Sequence, residues 1–265
     1  MDRDREKPLK TRLRFWNIAI GKFFFRYRNA LFPLIFAISA LVLRPRIVLA
    51  NMVVDRLLVR AGIALALLGQ TVRLITIGFD YIHRGGKGGQ VYAGRLVRGG
   101  AYGLTRNPMY VGNALIAIGM TMQFGSPLAY LVIIPFFLFV YRAIVAAEES
   151  YLREKFGAEY KDYEKSVNRY LPTLARFGEA FAGVRFDWRK SIKKDLGTVV
   201  GLTIGLILIP VWRAYFLYGR EATEFVVIRT LSLSLGIGAL YLFLLKLKRH
   251  DRLFKTDASR SQKNC

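Results

Sequence analysis

Long apolar runs separated by basic clusters are the feature of this chain that most restricts its fold. Four of these runs approach the roughly 20 apolar residues that are needed to cross the hydrocarbon core of a bilayer. They are residues 57–79, 110–147, 197–217 and 225–245. The second run is too long for one crossing and is interrupted by Gly125-Ser126-Pro127, so we interpret it as a helical hairpin. Because backbone polar groups must be paired inside a membrane, the runs predict an all-α fold, a polytopic helical membrane protein.

The N-terminal region contains one further candidate span. Residues 1–28 interleave Lys and Arg with aromatic side chains, a pattern typical of an amphipathic helix in the membrane interface; a solvated basic tail is the alternative. Residues 29–43 offer only about 15 residues before Arg44, so this segment either spans thinly or is re-entrant. The sequence therefore predicts about five to six transmembrane helices.

Composition separates two classes of protein that could carry so much positive charge. The net charge is +23, yet 53% of the 265 residues are hydrophobic. Nucleic-acid-binding proteins place their bases along one surface, whereas here they lie at the ends of apolar runs. A membrane protein is favoured, and nucleic acid is not an expected partner. No metal site is expected, because the two histidines, His83 and His250, lie apart among basic residues.

The distribution of Lys and Arg predicts the orientation of the hairpin. Its turn, residues 122–127, carries no charge, whereas the loops on both sides are basic. The loop before the hairpin contains Arg84, Lys87, Arg95, Arg98 and Arg106, and the loop after it contains Arg153, Lys155, Lys161, Lys165, Arg169, Arg176, Arg185, Arg189, Lys190, Lys193 and Lys194. The positive-inside rule places both loops in the cytoplasm, with both termini cytoplasmic as well. A basic cluster conflicts with this orientation at the first span; it comprises Arg44, Arg46, Arg56 and Arg60.

These patterns divide the chain into four regions. They are a basic interfacial segment (1–28), a membrane core (29–194) whose motifs lie in residues 60–172, a C-terminal pair of transmembrane helices (195–245) and a basic tail (246–265).

The first motif block, residues 99–113, reads GGAYGLTRNPMYVGN and leads into the hairpin. Asn107-Pro108 is a helix-start signal, since Asn caps free N–H groups and Pro is tolerated in the first helical turn. Tyr110 then lies near the cytoplasmic interface, and Gly112 allows close helix approach. The helix N-terminus favours a carboxylate ligand, although a capped helix with an interfacial tyrosine explains the block without one.

The second block, residues 142–172, begins at the end of an apolar run and becomes a charged amphipathic helix. Glu148 and Glu149 lie where the span emerges from the membrane. Adjacent helical residues point about 100° apart, so one glutamate faces a given pocket and the other is available to Arg153. Uncompensated carboxylates at membrane depth are costly, which favours a functional pair over a solvated one.

Together the two blocks resemble the isoprenylcysteine carboxyl methyltransferase and phospholipid N-methyltransferase family of integral membrane enzymes. The resemblance covers about residues 60–172 and rests on Gly100, Tyr102, Arg106-Asn107-Pro108-Met109-Tyr110-Val111-Gly112, Glu148-Glu149, Phe156-Gly157, Tyr160, Tyr163, Arg169 and Pro172.

The resemblance implies an S-adenosyl-L-methionine-dependent methyltransferase that acts on a lipidic or membrane-partitioning acceptor. The cofactor-binding residues it implies are Tyr102, Arg106, Asn107, Pro108, Tyr110, Gly112, Glu148 and Glu149, and the catalytic ones are Glu148, Glu149 and Arg106. Tyr160, Tyr163 and Arg169 are expected to cap the site or position lipid headgroups. Asn107 stands where the prenylcysteine enzymes commonly have His, so no titratable group is expected there.

Two other functions fit parts of the sequence. An NADPH-dependent lipid or steroid reductase shares the closing Phe-Gly-x-x-Tyr-x-x-Tyr and Pro segment, but the Arg106–Gly112 block and the glutamate pair favour the methyltransferase. A non-catalytic scaffold or transporter is the other alternative, and the chain shows no internal repeat of the kind common in transporters. The acceptor and the oligomeric state cannot be predicted from these residues.

Overall fold

A computed structural model of the protein describes residues 9–79 and 93–261. Part of the predicted interfacial segment, together with His83, Arg84 and Lys87, lies outside the described residues. The elements are α1 (Leu9–Val42), α2 (Met52–Phe79), α3 (Ala101–Leu104), α4 (Pro108–Met122), α5 (Pro127–Ser166), α6 (Phe177–Phe181) and α7 (Trp188–Ser261), with short 3-10 turns at Val48–Ala50 and Leu174–Arg176. No strand occurs in these ranges, and the predicted all-α fold is confirmed.

Three helices in the described part of the chain are long and apolar enough to cross a membrane. They are Trp16–Val42, Pro127–Ser166 and Trp188–Glu221, and Pro108–Met122 is a shorter apolar helix. The count of five to six crossings therefore stays a prediction. The first candidate span has 27 residues and begins at Trp16, because α1 continues through residue 28 without a break. Residues 29–42 thus belong to a longer helix, and whether this segment spans thinly or is re-entrant stays a prediction.

The turn between α4 and α5 shows the local chemistry that the sequence indicated. The Ser126 hydroxyl accepts a hydrogen bond from the backbone N–H of Ala129, which caps α5, and Pro127 begins the helix. The Tyr130 hydroxyl donates to the carbonyl oxygen of Met122 at 2.8 Å. The interrupted run 110–147 is therefore two helices joined by a short turn.

Helices α2 and α4 pack backbone against backbone. A Cβ atom added to Gly69 would lie 2.6 Å from the carbonyl oxygen of Gly112, and one added to Gly62 would lie 2.7 Å from that of Gly119. The two glycines of each helix are spaced seven residues apart, so they line one face in antiparallel register. Small residues allow this approach, and in a bilayer such packing contributes much of helix association.

Helices α1 and α5 join through aromatic rings. Phe36 stacks on Phe137 with ring centroids 5.1 Å apart, and Phe32 contacts Tyr141 edge to face at 5.5 Å. Each such pair adds about 0.5–1.5 kcal/mol beyond area burial. This packing holds α1 against the helix that carries the two glutamates.

A buried ionic network fixes the first part of α7 to α2 and α4. The side chains of Arg73 and Asp195 are 2% and 0% exposed, and the guanidinium bonds both carboxylate oxygens. Arg73 also donates to Asn113 and, at 2.8 Å, to the hydroxyl of Thr198. Gln70 donates to the same carboxylate at 2.7 Å. We call these five residues the Arg73–Asp195 network.

The chain forms two compact units, Met1–Ile209 and Pro210–Cys265. The predicted domain boundary at 194/195 falls inside the first unit, next to the network residue Asp195. Helix α7 is interrupted at Gly219, where φ is 80° and ψ is −168°. This break lies between the two C-terminal apolar runs that the sequence separates.

Candidate functional site

The first part of the site forms around Glu149, whose side chain is 1% exposed. Arg106 donates to its carboxylate at 3.3 Å and Asn107 at 3.2 Å, both from the segment that leads into α4. Arg169, which follows α5, donates through Nε to both carboxylate oxygens at 3.0 Å and also through Nη2. One carboxylate therefore joins three separate stretches of the chain. Its hydrogen bond raises the pKa of the Arg169 guanidinium above its ordinary value.

A bend in α5 brings a second carboxylate to this cluster. Arg153 bonds Glu149 at 3.2 Å and Glu164 at 2.6 Å. In a straight helix residues 153 and 164 would lie about 16 Å apart, so their contact requires a bend. Gly157 supplies it with a φ of +53°, a conformation that side-chain-bearing residues rarely adopt. We call Arg106, Asn107, Glu149, Arg153, Glu164 and Arg169 the Glu149 cluster.

The segment after α5 is tied to the first motif block by backbone hydrogen bonds. The N–H of Arg106 donates to the carbonyl of Asn168 at 2.9 Å, and the N–H of Thr173 donates to that of Leu104 at 2.8 Å. The Tyr163 hydroxyl donates to the carbonyl of Tyr102 at 2.6 Å. The closing Arg169–Pro172 motif therefore lies directly along the Arg-Asn-Pro block.

The charges in the Glu149 cluster do not balance. Three guanidinium groups, those of Arg106, Arg153 and Arg169, face two carboxylates, which leaves an excess of one positive charge. The Nε–H of Arg106 is buried and has no hydrogen-bond partner. The hydroxyl of Tyr170 is also buried and also has no partner. Buried donors are normally paired, so these two atoms mark a place suited to an acceptor group.

Glu148 faces a different environment from its neighbour. Its carboxylate is hydrogen-bonded to the Tyr110 hydroxyl, and that hydroxyl also accepts a hydrogen bond from Arg28 of α1 at 3.2 Å. The ring of Tyr141 lies 6.2 Å from that of Tyr110, centroid to centroid. The 100° offset between adjacent helical residues thus separates the two glutamates into a cationic environment and an aromatic one.

The structure brings together most of the residues that the sequence singles out, with three differences of detail. Asn107 occupies the N-cap position of α4, but it makes no capping hydrogen bond, because its amide donates to Glu149 and to the carbonyl of Arg169. The expectation that it caps the helix is wrong. Gly112 packs against Gly69 and the aliphatic part of Arg73, so it faces α2 rather than Glu149. Tyr102 meets Tyr163 through its backbone carbonyl.

Other predicted residues are packing elements. Pro108 begins α4 and is buried. Tyr160 and Tyr163 are buried together with Val167 in a small core under the closing segment. Sequence reasoning did not find Arg28 or Glu164: Arg28 is one of many bases in its segment, and Glu164 is one of several charges on an amphipathic helix.

Comparison with known proteins gives a consistent picture. The phospholipid methyltransferase family matches residues 58–159. An uncharacterized protein of Haemophilus influenzae is 41% identical over 63 residues, which are 24% of this chain and the whole of that protein. The protein-S-isoprenylcysteine O-methyltransferase of Saccharomyces cerevisiae is 30% identical over 118 residues, 43% of this chain and 48% of that enzyme. A probable protein-S-isoprenylcysteine O-methyltransferase of Oryza sativa is 32% identical over 83 residues, 30% of this chain and 42% of that protein.

The chain therefore spans less than half the length of the two named methyltransferases. No solved structure matches it significantly. The family match contains the Arg106–Gly112 block, the hairpin and the glutamate pair, the features on which the predicted resemblance rests. The predicted resemblance is confirmed: residues 58–159 match the phospholipid methyltransferase family, and part of the chain is similar to protein-S-isoprenylcysteine O-methyltransferases.

Proposed function

We propose that the protein transfers a methyl group from S-adenosyl-L-methionine to a membrane-partitioning acceptor at the cytoplasmic face of the bilayer. The observation that carries this proposal is the meeting of Arg106 and Asn107 with Glu149 and Arg169 in one buried, positively charged cluster. The basic loops on both sides of the hairpin support the cytoplasmic location, with both termini on that side.

The residues of the site fit the chemistry of this cofactor, which carries a carboxylate, an ammonium and a cationic sulfonium. The excess positive charge of the Glu149 cluster and the unpartnered Arg106 Nε–H suit the carboxylate. The Glu148 carboxylate and the Tyr110 ring suit the cationic groups. When bound, the cofactor would supply an activated methyl group on sulfur.

The protein's contribution is positioning and the exclusion of water, because methyl transfer of this kind is a direct displacement. Asn107 is buried at 6% exposure and can hydrogen-bond but not titrate, so it orients the Glu149 carboxylate without exchanging protons. Tyr110, 8% exposed, is a largely dry side chain next to Glu148.

The two glutamates have separate roles. Glu149 accepts hydrogen bonds from three guanidinium groups and one amide, so its carboxylate oxygens are occupied in holding the cluster together. Glu148 is bonded to a single hydroxyl, and its carboxylate oxygen is therefore the proton acceptor if the acceptor substrate is a thiol or an amine. A carboxylate acceptor carries no proton and needs no base.

The acceptor class follows from the relatives and from the membrane setting. The related enzymes are named for isoprenylcysteine and for phospholipids. Both kinds of molecule have a polar group attached to a hydrocarbon tail, which matches a site whose helices continue into the bilayer. We infer that the acceptor is of this amphiphilic kind.

The test uses the purified protein in lipid nanodiscs. S-adenosyl-L-methionine is expected to bind and NADPH to fail to bind, as measured by calorimetry, and methyl-labelled cofactor is expected to label a lipid-soluble fraction of the membranes. Binding of NADPH without binding of S-adenosyl-L-methionine would contradict the proposal and favour an NADPH-dependent reductase. Glu148→Gln should weaken cofactor binding, because it removes the carboxylate that suits the cationic groups, and at saturating cofactor it should abolish labelling only for a thiol or amine acceptor.

A further inference from the structure

Arg28 is a charged residue in an unexpected place. It lies in α1, inside the segment Trp16–Val42 that is apolar enough to cross a membrane. A guanidinium in such a segment costs several kcal/mol unless it is compensated, and intramembrane charges commonly mark functional sites. The arginine is half-buried and packs 4.3 Å over the ring of Phe25, which places it against the protein rather than in an aqueous layer.

The compensation that the protein itself provides is incomplete. Nη1 of Arg28 donates to the neutral hydroxyl of Tyr110 at 3.2 Å. The Glu148 carboxylate, on the same hydroxyl, attracts Arg28 electrostatically, but within residues 9–79 and 93–261 no carboxylate makes a direct ion pair with Arg28. The guanidinium of Arg73, by contrast, is neutralised by both oxygens of Asp195. A guanidinium has five N–H donors in a planar fork, so Arg28 retains the capacity to bind an oxyanion.

Arg28 lies where an oxyanion bound to it would be close to the groups that we propose for methyl transfer. Arg28 and Glu148 both bond the Tyr110 hydroxyl, so an anion on Arg28 would lie one side chain away from the carboxylate proposed as base. The neighbouring Phe23 and Tyr27 are 53% and 45% exposed on the outer face of α1. A ligand with a hydrocarbon tail can therefore lie along this exposed aromatic face and reach Arg28 from the lipid side.

We propose that Arg28 is the anchor for the acceptor: it binds the carboxylate or phosphate oxygens of an anionic amphiphile and holds that molecule beside Tyr110 and Glu148. The proposal rests on the proposed function and deepens it, because it assigns the acceptor's anionic group to a residue outside the family-matched region 58–159.

The test compares Arg28→Gln and Arg28→Lys with a matched control, Arg26→Gln, on the exposed side of the same helix. Binding of two probes, oleate for a carboxylate and lysophosphatidic acid for a phosphate, is measured by native mass spectrometry in a neutral detergent. Binding of S-adenosyl-L-methionine is measured on the same preparations and also reports that each variant is folded.

Arg28→Gln should lose at least about tenfold in affinity for one of the two probes, and the probe affected identifies the anion. Arg28→Lys should lose less, since it keeps the charge but not the fork. Arg26→Gln should bind both probes with the affinity of the unmodified protein. The affinity for S-adenosyl-L-methionine should be unchanged in all three variants. Equal probe binding by Arg28→Gln and the unmodified protein would overturn the proposal, as would an equal loss in Arg26→Gln. If the unmodified protein binds a probe through Arg28 but no cofactor, the proposed function fails and the anion site stands.

Discussion

The Arg73–Asp195 network and the Glu149 cluster are each built around a buried carboxylate, yet they differ in the ratio of guanidinium groups to carboxylates. The network pairs one guanidinium with one carboxylate, and nearly every donor of Arg73 reaches an oxygen. The Glu149 cluster gathers three guanidinium groups around two carboxylates and leaves the Arg106 Nε–H without an acceptor.

The difference separates a structural role from a binding role. Within the described residues the network gathers its donors around one carboxylate, and we infer that it serves to fix helices α2, α4 and α7 in register. An open cluster with excess positive charge gains favourable energy when an anion enters. Buried charge alone therefore does not indicate a functional site in this protein; the number of unmet donors does.

The largest expected effect comes from breaking the Arg73–Asp195 pair. Asp195→Leu removes the carboxylate that binds two nitrogens of the buried Arg73 guanidinium and should lower the free energy of unfolding by about 3–5 kcal/mol. Thermal unfolding in detergent measures this. The double variant Arg73→Met with Asp195→Leu should recover most of the loss, because an apolar pair of similar volume can replace a buried ion pair. A single variant as stable as the unmodified protein would show that Arg73 finds another partner.

Glu149→Gln disrupts the Glu149 cluster and should lower the free energy of unfolding by about 2 kcal/mol, less than Asp195→Leu does. The loss is smaller because Arg153 and Arg169 are 31% and 34% exposed and can turn toward water. The same change should abolish cofactor binding, since the guanidinium groups lose the carboxylate that holds them together. Calorimetry and thermal unfolding on one preparation give both quantities. Loss of stability with intact cofactor affinity would make Glu149 purely structural.

Arg106→Lys sharpens the comparison, because it keeps the charge and removes the planar fork with its unpartnered Nε–H. Cofactor affinity should fall by about tenfold, or ~1.4 kcal/mol. The free energy of unfolding should change much less in Arg106→Lys than in Asp195→Leu. An unchanged affinity would mean that charge alone is what the cluster provides.

The smallest effect is expected outside both clusters. The exposed pair Arg220–Glu224, at 3.3 Å, is a surface ion pair of the second unit. Arg220→Gln should change the unfolding free energy by less than about 0.5 kcal/mol and leave cofactor binding intact. A larger change in binding would indicate that the second unit contributes to the site.

The sequence predicts the parts of this protein that depend on local pattern. Span length, the Gly125-Ser126-Pro127 breaker and the order of the two motif blocks are visible in short windows, and they predict the hairpin and the meeting of Arg106 with Glu149. The offset between Glu148 and Glu149 also follows from helical geometry. These features need no knowledge of distant contacts.

The parts that the sequence does not predict depend on contacts between residues far apart. Arg73 and Asp195 are 122 residues apart and Arg28 and Tyr110 are 82 apart, with no periodic signal to join them. Asn107 has the composition of a helix cap, but a tertiary carboxylate competes successfully for its amide. The boundary predicted at 194/195 follows the end of a charged stretch and stays a prediction.

The Arg73–Asp195 network also limits how this protein can be recombined with its relatives. Arg73 lies inside the family-matched residues 58–159 and Asp195 lies beyond them. A chimera that exchanged only the matched segment would carry a guanidinium into a host without its counter-ion. Donor segments that reach Ile209 should give folded hybrids, and shorter ones should be degraded by cellular quality control.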